Sequence, residues 1–191
     1  MNSLINDFHT LEIFKNAETD FVQNFEDKIS KELLLKIKPN SFYELCAIFG
    51  LNRPEIESNL HTYISNRENV NEIKYIHPII EKHLQETFGV FVYAEQIENI
   101  LKDLTDLTIA ECKIARKELG KRNKDAIDKY YKLLKHNCST NEEFLADCKA
   151  NNLDFEKTIS EIWELINKNV TEVILFSFVF KTVTESYLKA M

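Results

Sequence analysis

Nine lysines and arginines stand against three acids in the segment KIARKELGKRNKDAIDKYYKLLK, Lys113 to Lys135, of a chain whose formal net charge is −7. Lys113, Lys117, Lys121 and Lys124 step by four and three residues, a spacing that aligns them if one helix runs through Gly120. Such a row can hold an acidic protein surface, a phosphate or a nucleic acid, with Tyr130 and Tyr131 as stacking groups. The bland alternative is a solvated helix face. Lys113, Lys117, Lys121, Arg122 and Lys124 are therefore the candidate partner-binding stripe.

Other reactive groups lack a working register. His77 and His83 in HPIIEKH are separated by roughly 240° around a helix, so they do not share a face. Neither HExxH nor a paired ExxH occurs, and Cys46, Cys112, Cys138 and Cys148 are widely spaced with no CxxC pair. With 3 glycines in the chain, no GxGxxG, P-loop or GxSxG can be written. The expectation is a non-enzymatic protein with no catalytic residue, no metal and no cofactor.

A second candidate lies in SFYELCAIFGLNRPEIESNLHTYISNR, Ser41 to Arg67. Ser41 with Glu44 is a capping-box pattern, Gly50 is suited to a left-handed turn, and Asn52 with Glu55 starts another helix with Pro54 in its first turn. The small residue Cys46, the turn at Gly50 and the apolar anchor Ile56 stand at the spacing of a helix-turn-helix, and this form resembles that of bacterial regulators. The resemblance is confined to that stretch. It implies a DNA-reading helix with Arg53, Ser58, Asn59, His61 and Arg67 facing the duplex. Glu55 and Glu57 lie on the same face and oppose the counterion release that drives DNA binding.

The elements that must position these groups read as helices. Apolar residues make up 44% and charged residues 29% of the 191, which suits a globular protein with a real core. The 3 glycines and 3 prolines fall far below the roughly 7% and 5% of average usage, and all-β folds need many more turn residues. Leu4, Phe8, Leu11 and Phe14 step at helical spacing, as do Phe21, Phe25, Ile29, Leu33 and Ile37, and Lys38-Pro39 ends that segment. Ile56, Leu60, Tyr63 and Ile64 mark the inner face of the helix after Gly50. FGVFVY, Phe88 to Tyr93, is strand-like but has no evident partner strand, so a connector is expected. Ile97, Leu101, Leu104, Thr108, Cys112, Ala115 and Leu119 predict one long helix stopped by Gly120. Further helices are predicted from Lys121 to His136, after a Thr140/Glu143 capping box, after Asp154, and from about Val170 to Leu188.

The fold expected is an all-α, compact bundle of roughly eight to ten helices in one domain, 1–191. Two pseudo-repeated halves, 1–88 and 97–191, are the finer version. Ser41-Phe-Tyr-Glu44 aligns with Thr140-Asn-Glu-Glu143, Gly50-Leu51-Asn52 with Asn152-Leu153-Asp154, and NVNEIKYI with NVTEVILF. The N-terminus lacks a basic head and an apolar stretch, and the run Val173 to Phe180 is far shorter than the roughly 20 residues of a membrane span. The cysteines read as reduced core thiols, so the compartment expected is the cytoplasm. An acidic helical body with one basic stripe fits an adaptor, inhibitor or immunity-type protein that binds another protein, with nucleic acid disfavoured by the acidic charge. A helix-turn-helix transcriptional regulator using residues 41–67 is the alternative.

Overall fold

The computed structural model describes residues 7–191, so Leu4 of the first predicted helix lies outside the described residues. Among the described residues the chain is all-helical, with eleven α-helices and no strand, the class that its glycine and proline depletion predicts. In chain order they are α1 Phe8–Lys15, α2 Lys28–Ile37, α3 Phe42–Leu51, α4 Glu57–Glu68, α5 Pro78–Leu84, α6 Ala94–Leu104, α7 Ile109–Gly120, α8 Lys124–Thr140, α9 Glu142–Ala150, α10 Phe155–Asn169 and α11 Phe176–Ala190. Two compact units result, one from residues 7–65 and 174–191, the other from residues 66–173.

The first unit is built on aromatic packing between its two chain segments. Tyr187 of α11 stacks on Phe14 of α1 with ring centroids 5.7 Å apart and meets Phe42 of α3 edge-on at 5.5 Å. Phe14 in turn meets Phe25 edge-on at 5.1 Å, and all four rings are essentially inaccessible to water. Pairs in these offset and T-shaped arrangements are worth about 0.5–1.5 kcal/mol beyond the area they bury. The Tyr187 hydroxyl donates to the Asp7 carbonyl at 3.0 Å, which satisfies its one polar atom. Asp7, Asp27 and Ser41 cap α1, α2 and α3 by accepting backbone N–H groups of Thr10, Ser30 and Glu44.

Three local expectations in this unit shift. The inner stripe of α2 is Ser30, Leu34 and Ile37, whereas Ile29 is exposed, so the stripe sits one residue from the Ile29–Leu33 register. Ser30 can be buried because its hydroxyl donates to Asp27 and accepts from the Asn52 amide at 3.0 Å. Phe21 lies in the irregular link before α2 and is almost wholly exposed. Gly50 is a helical residue inside α3, and Arg53 Nε donates to its carbonyl at 2.9 Å, so the corner turns after it, at Asn52 and Arg53. A 3-10 turn, Pro54–Ile56, then leads into α4, whose inner face of Leu60, Tyr63 and Ile64 is the predicted one.

The second unit packs α6, α7, α8, α9 and α10 around Ile97, Leu101, Leu104, Cys112, Ala115, Leu119, Leu134, Ile159, Ile162 and Ile166. The long helix predicted from Glu95 to Leu119 is two helices. Its predicted stripe is buried except at Thr108, which is exposed: the chain breaks at Thr105–Thr108, and Thr108 forms a reciprocal capping box with Glu111. The FGVFVY connector forms no strand, and the Gln96 side chain takes the N–H groups of Val92 and Tyr93, both at 2.9 Å. Asn141 rather than Thr140 caps α9, accepting from Phe144 N–H at 2.9 Å, while α8 runs on through Thr140. Asp154 caps α10 as predicted.

One charged pair crosses this core. Arg116 of α7 donates from Nε to Glu98 Oε1 of α6 at 2.8 Å, and the Glu98 side chain is 1% exposed. A buried carboxylate stripped of its partner costs about 3–5 kcal/mol. Arg116→Ala should therefore lower the stability read by urea denaturation by about that amount, while the double change Glu98→Leu, Arg116→Met should recover most of it. A loss below about 1 kcal/mol for the single variant would show that the pair does not hold α6 to α7.

Candidate functional site

α7 turns Cys112, Ala115 and Leu119 inward, which leaves Lys113, Ile114 and Lys117 on its outer face. Lys121 is the helical C-cap and extends the Lys113–Lys117 row by one more step of roughly 6 Å along the axis. The row does not continue as one helix. α7 ends at Gly120, Arg122 takes a left-handed backbone with φ 58°, and α8 begins at Lys124 under an Asn123 cap. Lys113, Lys117, Lys121 and Lys124 are exposed and form no ion pair among the described residues.

Of the other five cations in the segment, four are already engaged. Arg116 belongs to Glu98, Lys135 pairs with Glu156 at 2.6 Å, and Lys129 sits 4.6 Å above the Tyr130 ring. Arg122, expected in the stripe, donates to the Asn167 carbonyl and to Thr171 Oγ1 at 3.2 Å. The two tyrosines proposed as stacking groups are packed away. Tyr130 is buried and donates to Glu118 at 2.7 Å, while Tyr131 lies against Trp163 with centroids 5.7 Å apart. A cleft of about 310 Å³ beside the row is lined by Glu118, Lys121, Asn123, Asp125, Ala126 and Lys129, so its acids match its lysines.

The Ser41–Arg67 corner does not display a reading face. Arg53 is tied to the Gly50 carbonyl, Asn59 is buried, and His61 pairs with Glu57 at 3.6 Å. Ser58 stays exposed and Arg67 is half-buried. A recognition helix needs several free donors on one face, and α4 spends or buries most of its own.

His77 and His83 are held apart, as their spacing predicts. His83 Nε2 lies 2.8 Å from Asp103, whose carboxylate also accepts from Lys82 at 2.7 Å. These contacts hold the Asp103 carboxyl below its ordinary range against the opposing effect of burial. His77 is buried, stacks on Phe144 at 4.2 Å between centroids, and accepts the Ile79 N–H at Nδ1 to cap α5. Among the described residues no three His, Cys, Asp or Glu side chains form a group that could hold a metal ion. The four cysteines are buried, and burial pushes the thiols of Cys46 and Cys138 up to about 12 and that of Cys112 to about 11, away from nucleophilic thiolates.

The family described as the bacterial DNA polymerase III alpha subunit finger domain matches residues 2–142. The chain belongs to that family. The match includes the whole of α7 and Lys124. A DNA polymerase III subunit alpha from Staphylococcus epidermidis is 28% identical over 162 residues, covering 85% of this chain and 14% of the relative. One from Halalkalibacterium halodurans is 32% identical over 123 residues, 64% of this chain and 11% of the relative. One from Staphylococcus aureus is 27% identical over 162 residues, with the same shares as the first. The chain thus spans about 14% of the length of the relatives it matches.

This membership overturns the functional expectations drawn from composition. A non-enzymatic adaptor that binds another protein is replaced by a domain family of a DNA polymerase subunit, and nucleic acid, disfavoured on net charge, returns as the ligand class to consider. The helix-turn-helix regulator falls with it, and the likeness at Ser41–Arg67 is a packing corner. The physical reason is averaging. A net charge of −7 sums the whole chain and averages away the exposed, unpaired lysines along α7 and the start of α8. The roles of Arg116 and Arg122 as internal ties had no sequence signal, because both partners lie far along the chain.

His77 carries a pH dependence whose sign follows from its site. Burial lowers its affinity for a proton below the ordinary value of 6.5, outweighing the attraction of Asp147. A folded-state value below the unfolded one means that this contribution to stability is complete above pH 6.5 and is lost as pH falls towards the folded value. Stability should decline there by up to about 1.4 kcal/mol per pH unit. His77→Asn, which keeps a capping side chain without titrating, should flatten that slope in urea denaturation between pH 7 and 5, and an unchanged slope would remove His77 as its source.

Proposed function

We propose that the chain works on DNA as part of a DNA polymerase III alpha subunit, and that Lys113, Lys117, Lys121 and Lys124 form the face that meets the phosphate backbone. Family membership over residues 2–142 carries this reading. The exposure of the four lysines and their freedom from ion pairs support it, since only unpaired cations can exchange their counterions for phosphates. The contribution we assign to the lysine face is binding and positioning of DNA. No helix among the described residues is long and apolar enough to cross a membrane, and a cytoplasmic location belongs to the same reading.

Fluorescence anisotropy with a labelled duplex tests it. Affinity should fall with salt, with a slope of log K against log[salt] of about −3 to −4 for four phosphate contacts. Each Lys→Ala change should reduce the magnitude of that slope by about 0.9, and the fourfold change to Glu should abolish binding. Salt-dependent binding that survives the fourfold reversal would move the DNA face elsewhere on the chain.

A further inference from the structure

We infer that Arg122 is a positioning residue for this DNA face, acting through the α7–α8 turn and not as a phosphate ligand. The inference rests on the DNA reading above. Three observations converge on it. First, Arg122 has φ 58°, the left-handed region that non-glycine residues seldom enter, and it does so at the one point where α7 must stop and α8 begin. Second, both ends of its guanidinium fork are engaged, one nitrogen donating to the Asn167 carbonyl in the last turn of α10 and the other to Thr171 Oγ1. The last carbonyls of a helix lack intrahelical donors and carry the negative end of its dipole, so a planar two-pronged cation suits them better than an ammonium does. Third, Arg122 lies between two lysines of the row, with Lys121 closing α7 and Lys124 opening α8.

The clip accounts for how a row interrupted at Gly120 can still act together. The α8 start is capped by Asn123, whose Oδ1 accepts from Asp125 N–H at 2.8 Å and Ala126 N–H at 3.3 Å. That cap fixes the first turn of α8, while the Tyr130–Glu118 hydrogen bond and the packing of Leu134 and Cys138 set the direction of α8 relative to α7. The Arg122 fork ties the turn to α10 and so sets where Lys124 stands beside Lys121. Without it the 121–123 turn loses its tie while the helix bodies stay packed, and Lys124, at the first position of α8, leaves the row while keeping its charge.

A double-mutant cycle on duplex affinity separates positioning from direct contact. Wild type, Arg122→Gly, Lys124→Ala and the double variant are compared, together with Arg122→Lys. Glycine suits the left-handed backbone, so Arg122→Gly removes the fork without straining the turn, and far-UV circular dichroism and the urea midpoint report whether the fold is kept. The expected result is a loss of about threefold to tenfold for Arg122→Gly, a similar loss for Lys124→Ala, and no further loss in the double variant. Arg122→Lys, which keeps the charge but not the fork, should bind as poorly as Arg122→Gly. Additive losses, or an Arg122→Lys variant with wild-type affinity and salt slope, would make Arg122 a phosphate ligand and overturn the inference while leaving the DNA face intact. An Arg122→Gly variant that binds as wild type would overturn it as well. If Arg122→Gly fails to fold, Arg122→Lys alone decides by the same comparison. A wild-type chain without salt-dependent duplex binding would instead sink the DNA reading, and this inference with it.

Discussion

The buried pair between Glu98 and Arg116 sets the rotation of α7, and the candidate DNA face follows from that rotation. A carboxylate at 1% exposure is tolerable only with a partner close by, and the 2.8 Å contact from Arg116 supplies it. With Arg116 turned towards α6, the helical period leaves Cys112, Ala115 and Leu119 against the core and Lys113 and Lys117 in solvent. A rotation of α7 by one residue would bury a lysine and strand the carboxylate, so the polar and apolar demands of this helix agree. The Thr108–Glu111 capping box fixes where the helix begins, and Arg122 fixes how it ends.

Charge at the scale of the chain and charge at the scale of a helix say different things here. The chain is acidic overall, yet most of its cations near α7 divide cleanly into engaged ones and free ones. Arg116, Arg122 and Lys135 each complete a contact inside their own unit, whereas the four lysines of the row have none among the described residues. Arginine takes the internal ties at positions 116 and 122, where a directional fork is useful, and lysine takes the solvent row, where a mobile point charge is enough. Neither Tyr130 nor Tyr131 stands free beside the row: Tyr130 is buried and Tyr131 lies half-buried against Trp163. A face of that kind suits phosphates more than bases.

Much of the fold was legible in the residues, and the failures have physical causes. Ile97 to Leu119 kept its predicted inner stripe, yet the break at Thr105–Thr108 stayed hidden because Leu104, Thr108 and Cys112 continue the spacing of four across it. The readable sign was the Thr108-x-x-Glu111 pattern. Gly50 looked like a turn, but the Arg53 side chain holds its carbonyl and the helix runs past it. In α2 a hydroxyl paired twice is buried while Ile29 is left outside, an inversion that no hydrophobicity pattern foretells. The lysine row itself was visible. Its ligand class was not, because net charge pointed away from nucleic acid.

The most direct test of the central claim is photocrosslinking from within the row. Ile114 is exposed between Lys113 and Lys117, so a photoreactive residue placed there leaves every lysine intact. The same probe at Ser58 on α4 reports on the other candidate face read from the sequence. If the lysine row meets DNA, position 114 forms an adduct with a duplex oligonucleotide that fades as salt rises, and position 58 forms none. Adducts from 58 but not 114, or from neither at low salt, would contradict it.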